Sequence, residues 1–207
     1  MPDITKDLLN KMKPVTNVAS IGNEVLHLPN YSGIKRESIK TNPAVIRWLA
    51  PYYGGFSVVT TSQTSTAGTV LLALFEAPAR CIVDQIVYVS GTTASGSVVV
   101  GIYGPVLTEE TALDCPLVVE SASTLQSGTS VPQAVTIAAT SLAPGRYYVA
   151  FEGEGTGQTY MRHGNQPQVI GWGLSYVRGG GYGALTNPCP TPASSNAMPG
   201  IKIRVIG

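Results

Sequence analysis

From residue 56 onward, short apolar runs recur between polar, glycine-rich connections. RCIVDQIVYVS (80–90) alternates with period two, setting Ile82, Ile86 and Tyr88 on one face and Cys81, Val83, Val87 and Val89 on the other. β-Branched and aromatic residues in that rhythm predict a strand. The same signal predicts strands in FSVVTT (56–61), TVLLALFE (69–76), SVVVGIYG (97–104), PLVVESAS (116–123), PQAVTIAA (132–139), RYYVAFEG (146–153), QVIGWGLSYV (168–177) and IKIRVI (201–206). In RYYVAFEG, Tyr148, Ala150 and Glu152 point one way and Tyr147, Val149 and Phe151 the other. The turn ahead of it, SLAPG, suits a tight reversal at Pro144-Gly145. YMRHGNQPQ (160–168) reads as a polar loop.

Eight or nine strands with no helix beyond two turns predict an all-β fold, an antiparallel β-sandwich of jelly-roll-like form. Ile82, Ile86, Tyr88, Val98, Val100, Ile102, Tyr148 and Val149 are expected to pack. Neighbours in that set lie on opposite faces, so some strands need cover on both sides. The cover is expected from the N-terminal segment or from another subunit, because a bare apolar strip would promote association.

The first 50 residues break the rhythm. ITKDLLNKM (4–12) predicts a turn or two of amphipathic helix with Ile4, Leu8 and Leu9 on one side, stopped by Pro14. After it, small apolar clusters alternate with Asn, Gly and Pro, and none is long enough for a sheet of its own. Residues 1–50 therefore read as an extended arm and residues 51–207 as the β-sandwich domain. Ordering an arm costs about 1–2 kcal/mol per residue of backbone. Burial against a surface offsets this at about 25 cal/mol per Å² of apolar area. The surface belongs either to a partner or to the chain's own sheet, where the arm would add an edge strand. The assembly reading singles out Leu8, Leu26, Tyr31, Arg36, Arg47 and Trp48.

Charge sharpens this border. Residues 1–50 carry seven basic and four acidic side chains, against six and eight in the rest. Charged residues make up only 12% of the chain and its net charge is +1, so no basic stripe points to nucleic acid. Apolar residues reach 43%, which excludes general disorder. No apolar run approaches membrane-spanning length, so no membrane partner is expected. The opening MPDITKDLLNKMKPV has charges throughout and no apolar block, unlike a signal peptide.

Candidate chemistry is sparse. Cys81, Cys115 and Cys189 match no tight zinc spacing, and only two histidines could assist them. Three thiols are the simplest reading; a Cys115–Cys189 bridge stays open, since both cysteines adjoin prolines. Glu109, Glu110, Asp114, Glu152 and Glu154 offer oxygen atoms without a calcium-loop spacing, so no metal is expected. No nucleophile elbow, zinc-protease helix or phosphate loop is present. The glycine-rich GEGTG and RGGGYG link no strand to a helix, so neither predicts a nucleotide site. The expectation is a protein without cofactor that is not an enzyme. A sugar-binding role would draw on Tyr160, Arg162, His163, Trp172, Arg178 and Tyr182, aromatic rings beside hydrogen-bonding groups. Trp172, between two glycines, would be either a surface platform or a core residue, and the loop after Arg178 would be mobile.

One stretch carries a resemblance. IVDQIVYVSGTTASGSVVVGIYGP, VTIAATSLAPGRYYVAFEGEGTG and GWGLSYV resemble β-sandwich domains of tailed-bacteriophage appendage, head-fibre and decoration proteins. The matching residues are Asp84, Ile86, Tyr88, Gly101, Ile102, Tyr103, Leu142, Pro144, Gly145, Tyr147, Tyr148, Val149 and Ala150, within roughly residues 80–155. The resemblance implies a virion structural protein, a decoration, fibre or tail/neck appendage subunit acting through assembly. Other virion proteins would be its partners, and a homotrimer its favoured oligomer. The alternative is a glycan- or receptor-binding module of a phage fibre that meets a host surface glycan. The resemblance carries no catalytic residues.

Overall fold

The computed structural model describes residues 47–51, 59–106, 112–155, 157–163, 173–195 and 197–206, and no helix occurs among them. In chain order the strands are β1 (Arg47–Leu49), β2 (Val59–Thr64), β3 (Thr69–Ala77), β4 (Cys81–Val89), β5 (Ser97–Tyr103), β6 (Leu117–Glu120), β7 (Thr124–Leu125), β8 (Pro132–Leu142), β9 (Gly145–Gly153), β10 (Thr159–His163), β11 (Gly173–Val177), β12 (Ala193–Ser194) and β13 (Ile201–Val205). The expected helix over 4–12 lies outside the described residues, as do Leu8, Leu26, Tyr31, Arg36 and Trp172. So do the side chains of Arg47 and His163.

β1, β13, β4 and β8 pair in that order as a four-stranded antiparallel sheet. A larger antiparallel sheet runs β12, β11, β3, β9, β5, β6, with β7 also pairing to β5. β2 and β10 form a two-stranded ribbon, which single bridges tie to Ser90 and Pro199. The loop expected at YMRHGNQPQ therefore begins as strand β10. Its polar side chains hid a segment whose alternate residue, Tyr160, enters the core. Arg47–Leu49, expected as the end of the arm, pair with β13 and form an edge of the smaller sheet.

The main core lies between the two sheets. Leu71, Ala73 and Phe75 from β3, Val98, Val100 and Ile102 from β5, and Tyr147, Val149 and Phe151 from β9 meet Ile86, Tyr88, Val135, Ile201 and Ile203 of the smaller sheet. Phe151 stands between Tyr88 and Tyr160, with ring centroids 5.1 Å from each. The alternation expected in β9 is the one observed, with Tyr148 and Ala150 on the opposite face.

Ile82 departs from its expected packing role and is 40% exposed. Register shifts at Asp84: Arg204 pairs with Gln85 and Val205 with Val83, so β4 holds one residue more than β13. A single extra residue inverts the phase of the side chains. Cys81 and Val83 thus join Ile86 and Tyr88 on the inner face, and Ile82 turns outward. Asp84 accepts two hydrogen bonds from Arg204, from Nε at 2.7 Å and Nη2 at 2.5 Å. This bidentate pair fixes the bulge to the neighbouring strand.

The larger sheet is apolar on its outer face too. Val70, Leu72, Leu74, Val99, Tyr103, Tyr148, Ala150, Leu174 and Tyr176 pack beneath Ala112, Cys115, Leu185 and Cys189. The cover expected from the N-terminal segment or from another subunit is here supplied by the chain's own connections. Gly101 opens the place where that cover docks on β5. A Cβ there would stand 2.5 Å from Leu185 Cδ1 and 2.8 Å from the Val119 carbonyl oxygen.

Gly101→Ala is expected to lower the unfolding free energy by about 1–3 kcal/mol, as overpacking does, with the slope of the urea melt unchanged. Adding Leu185→Ala removes only one of the two clashes, so the double variant should remain less stable than Leu185→Ala alone. An unchanged midpoint for Gly101→Ala would show that the cover does not pack on β5.

Candidate functional site

The outer layer over the larger sheet is where charge, aromatic hydroxyls and glycines converge. Glu152 ends the outward-facing row of β9 and is fully buried. Its partner, Arg178, follows β11 and enters the glycine-rich turn. Arg178 Nη2 lies 3.5 Å from Glu152 Oε1 and also donates to the Gly181 carbonyl, while Nη1 donates to the Ala184 carbonyl at 2.9 Å. The Arg178 backbone N–H donates to Gly68 O at 2.7 Å. One side chain thereby folds its own loop back onto the sheet. Gly180 and Gly181 have φ of 109° and 78°, values that favour glycine and let this loop curl around the guanidinium.

Further contacts seal the layer. Tyr103 donates to the Thr186 carbonyl at 2.6 Å, and its hydroxyl lies 2.8 Å from that of Tyr176. Glu120 Oε2 accepts from the Leu185 N–H at 2.9 Å, and Asn187 Oδ1 from the Leu117 N–H at 3.0 Å. Tyr182 is half-buried and hydrogen-bonds Ser123 across 2.8 Å. The loop expected to be mobile is thus bound at several points.

Burial pushes the Glu152 carboxyl above its ordinary range; Arg178 and the N–H groups of Gly183 and Gly68 oppose that rise. Its Oε2 accepts no hydrogen bond among the described residues, and Arg178 Nε donates none. Tyr103 and Tyr176 are also raised, first by burial. No group of three ligating side chains that could hold a metal occurs among the described residues.

The six candidate sugar-binding residues do not form one platform. Tyr160 is buried, packs its ring at a tilt against Phe151 and donates to the Ala197 carbonyl at 2.8 Å. Arg178 is turned inward to Glu152, and Tyr182 is engaged with Ser123. Arg162 is half-buried on β10. Trp172 and the His163 side chain lie outside the described residues. Sequence reasoning considered Glu152 only as an oxygen donor for a metal and missed its role as the buried partner of Arg178. A signal existed: it shares a face with Tyr148 and Ala150, and a carboxylate on an apolar face needs a buried partner.

A second surface is different in kind. On the outward side of the smaller sheet, Trp48 pairs in register with Arg204 and is 44% exposed. Ile206 and Ile82, joined by a backbone hydrogen bond, are 45% and 40% exposed. These three side chains flank the Asp84–Arg204 pair.

No known family model matches the chain, and no curated protein sequence matches it.

The Glu152 proton is held more tightly in the folded chain than in the unfolded one. Its contribution to stability is therefore complete below the ordinary pKa and is lost as pH rises through the raised value. Glu152→Gln has no such titration. In urea melts from pH 4 to pH 7, the wild type is expected to lose stability relative to Glu152→Gln as pH increases. The opposite trend would mean that Arg178 outweighs burial.

Proposed function

We propose that the protein is a virion structural subunit, a decoration, fibre or tail/neck appendage component, that acts by assembly with other virion proteins. The observation that carries this reading is the group of exposed apolar side chains gathered on the outer side of the smaller sheet; the larger sheet also exposes Leu125 and Val177, but on β7 and β11, strands that β3, β9 and β5 separate. The larger sheet has its outer apolar face sealed by tethered connections. The smaller sheet presents Trp48, Ile82 and Ile206 to solvent beside the strand into which the N-terminal segment runs. Exposed apolar side chains around a fixed ion pair suit docking, with the charges setting orientation. The low overall charge and the resemblance to phage appendage domains support the same reading. A homotrimer is the favoured oligomer, since closed cyclic symmetry repeats one surface economically.

The N-terminal segment is proposed to work in assembly, while the fold proper stands without it. A chain lacking residues 1–45 retains β1. It is expected to keep a cooperative all-β melt and to lose self-association in sedimentation equilibrium. Loss of the cooperative melt would assign the segment to the core instead. Trp48→Glu with Ile82→Lys should also weaken association of the full chain at least tenfold, leaving far-UV spectra unchanged. An antibody against residues 51–207 should label assembled particles from the native host. Unlabelled particles together with a monomeric full chain would overturn the reading.

A further inference from the structure

We propose that Cys115 and Cys189 form an intramolecular disulfide that staples the two connections covering the larger sheet. The three cysteines are thiols in the structure. Cys115 and Cys189 lie side by side in the backbone: the Cys189 N–H donates to Cys115 O at 2.9 Å, and the Asp114 N–H to Cys189 O at 2.9 Å. This is a two-against-one pairing, with Asp114 at φ 57° providing the extra residue. The Cys115 N–H turns back to Ala112 O, so one backbone hydrogen bond joins the two cysteines directly and brings their main chains to the close approach of paired strands. A disulfide spans about 4.4–6.8 Å at Cα.

Both side chains enter the same apolar cluster on the sheet's outer face, 5% and 0% exposed. Each thiolate would feel the other, since Cys115 helps raise Cys189. Cys81 belongs to the core between the sheets, so β-sheet backbone separates it from the pair. The bridge would join connections that differ widely in sequence position, and it would hold down the layer in which Leu185 and the Tyr103–Tyr176 pair are buried.

The step needs a two-electron oxidant, and a small disulfide such as oxidised glutathione suffices. The Cys115 thiolate, the more exposed of the two, attacks one glutathione sulfur and breaks its S–S bond. A mixed disulfide forms and one glutathione leaves as thiol. The Cys189 thiolate then attacks the Cys115 sulfur, forms the protein disulfide and releases the second glutathione. The two protein protons end on the two glutathione thiols. Burial, then Cys115 and Asp114, pushes Cys189 up to about 12, so exchange is slow in the closed fold at neutral pH. Closure therefore accompanies folding or brief opening of the cover. This inference does not rest on the assembly reading, and its test needs no partner.

The full chain is incubated natively with oxidised glutathione from pH 7 to pH 9. In parallel it is refolded from denaturant in a glutathione redox buffer. Alkylation in denaturant is expected to fall from three labelled thiols to one, at Cys81, with the intact mass lower by two hydrogens. Digestion should give one crosslinked peptide pair containing Cys115 and Cys189. The melting midpoint should rise by about 10 °C. Reductant should reverse that rise, Cys189→Ser should lack it, and Cys81→Ser should retain it. The linked pair in either arm supports the assignment. Three labelled thiols in both arms, or a bridge that uses Cys81 or a second chain, overturns it.

Discussion

A sheet apolar on both faces must be covered twice, and most of this fold follows from that constraint. β3, β5 and β9 carry Phe75, Ile102 and Val149 on one side and Leu72, Tyr103 and Tyr148 on the other, all buried. Each such side chain contributes about 1.5–3 kcal/mol only while the cover on its own face stays in place. The four-stranded sheet meets the first requirement with regular strands. The second is met by connections rich in Gly and Pro, which form no continuous ladder over the sheet. Their backbone groups need partners from elsewhere, which is why so many side chains in this layer bond to main chain.

Those bonds explain why the charged groups of the cover sit where they do. Glu120 and Asn187 satisfy the N–H groups of Leu185 and Leu117. Arg178 satisfies the Gly181 and Ala184 carbonyls and leans on Glu152. Removing Arg178 would leave the buried Glu152 carboxylate without its partner, whereas neutralising Glu152 in place removes its desolvation cost and leaves Arg178 on the Gly181 and Ala184 carbonyls. The pair is thus an orientation device for the loop. Its free energy balances burial against attraction.

The strands were legible because their signal is local. β4, β5, β9 and β13 follow from period-two alternation, and the facing of β9 was read correctly residue by residue. What failed is what period two cannot carry. The bulge at Asp84 depends on pairing with β13, more than a hundred residues later, and it turned Ile82 outward against the pattern. β10 was hidden because Met161 and Arg162, ahead of Gly and Asn, look like loop residues; among its described side chains Tyr160 joins the core. The sugar-binding candidates were chosen by residue type, yet Tyr160 and Arg178 are consumed by packing and pairing. Aromatic and basic side chains beside glycines read alike whether they face solvent or brace a loop. The cover itself was expected from outside because residues 112–116 and 182–189 lack any periodicity.

Area limits what the smaller sheet's face can do by itself. A large aromatic side chain offers about 150–250 Å² and an isoleucine somewhat less. At 44%, 40% and 45% exposure, Trp48, Ile82 and Ile206 together present roughly 250 Å². A stable interface needs about 800 Å² on each partner. On the assembly reading these side chains are an anchor, and the remaining area has to come from elsewhere in the chain. Residues 1–46 are the natural source. On that reading they hold Leu8, Leu26, Tyr31 and other apolar residues in short clusters, and in sequence they lead directly into the edge strand that presents Trp48. Association would then depend on sheet face and arm together, and losing either should weaken it more than their separate areas suggest, because each fixes the geometry in which the other binds.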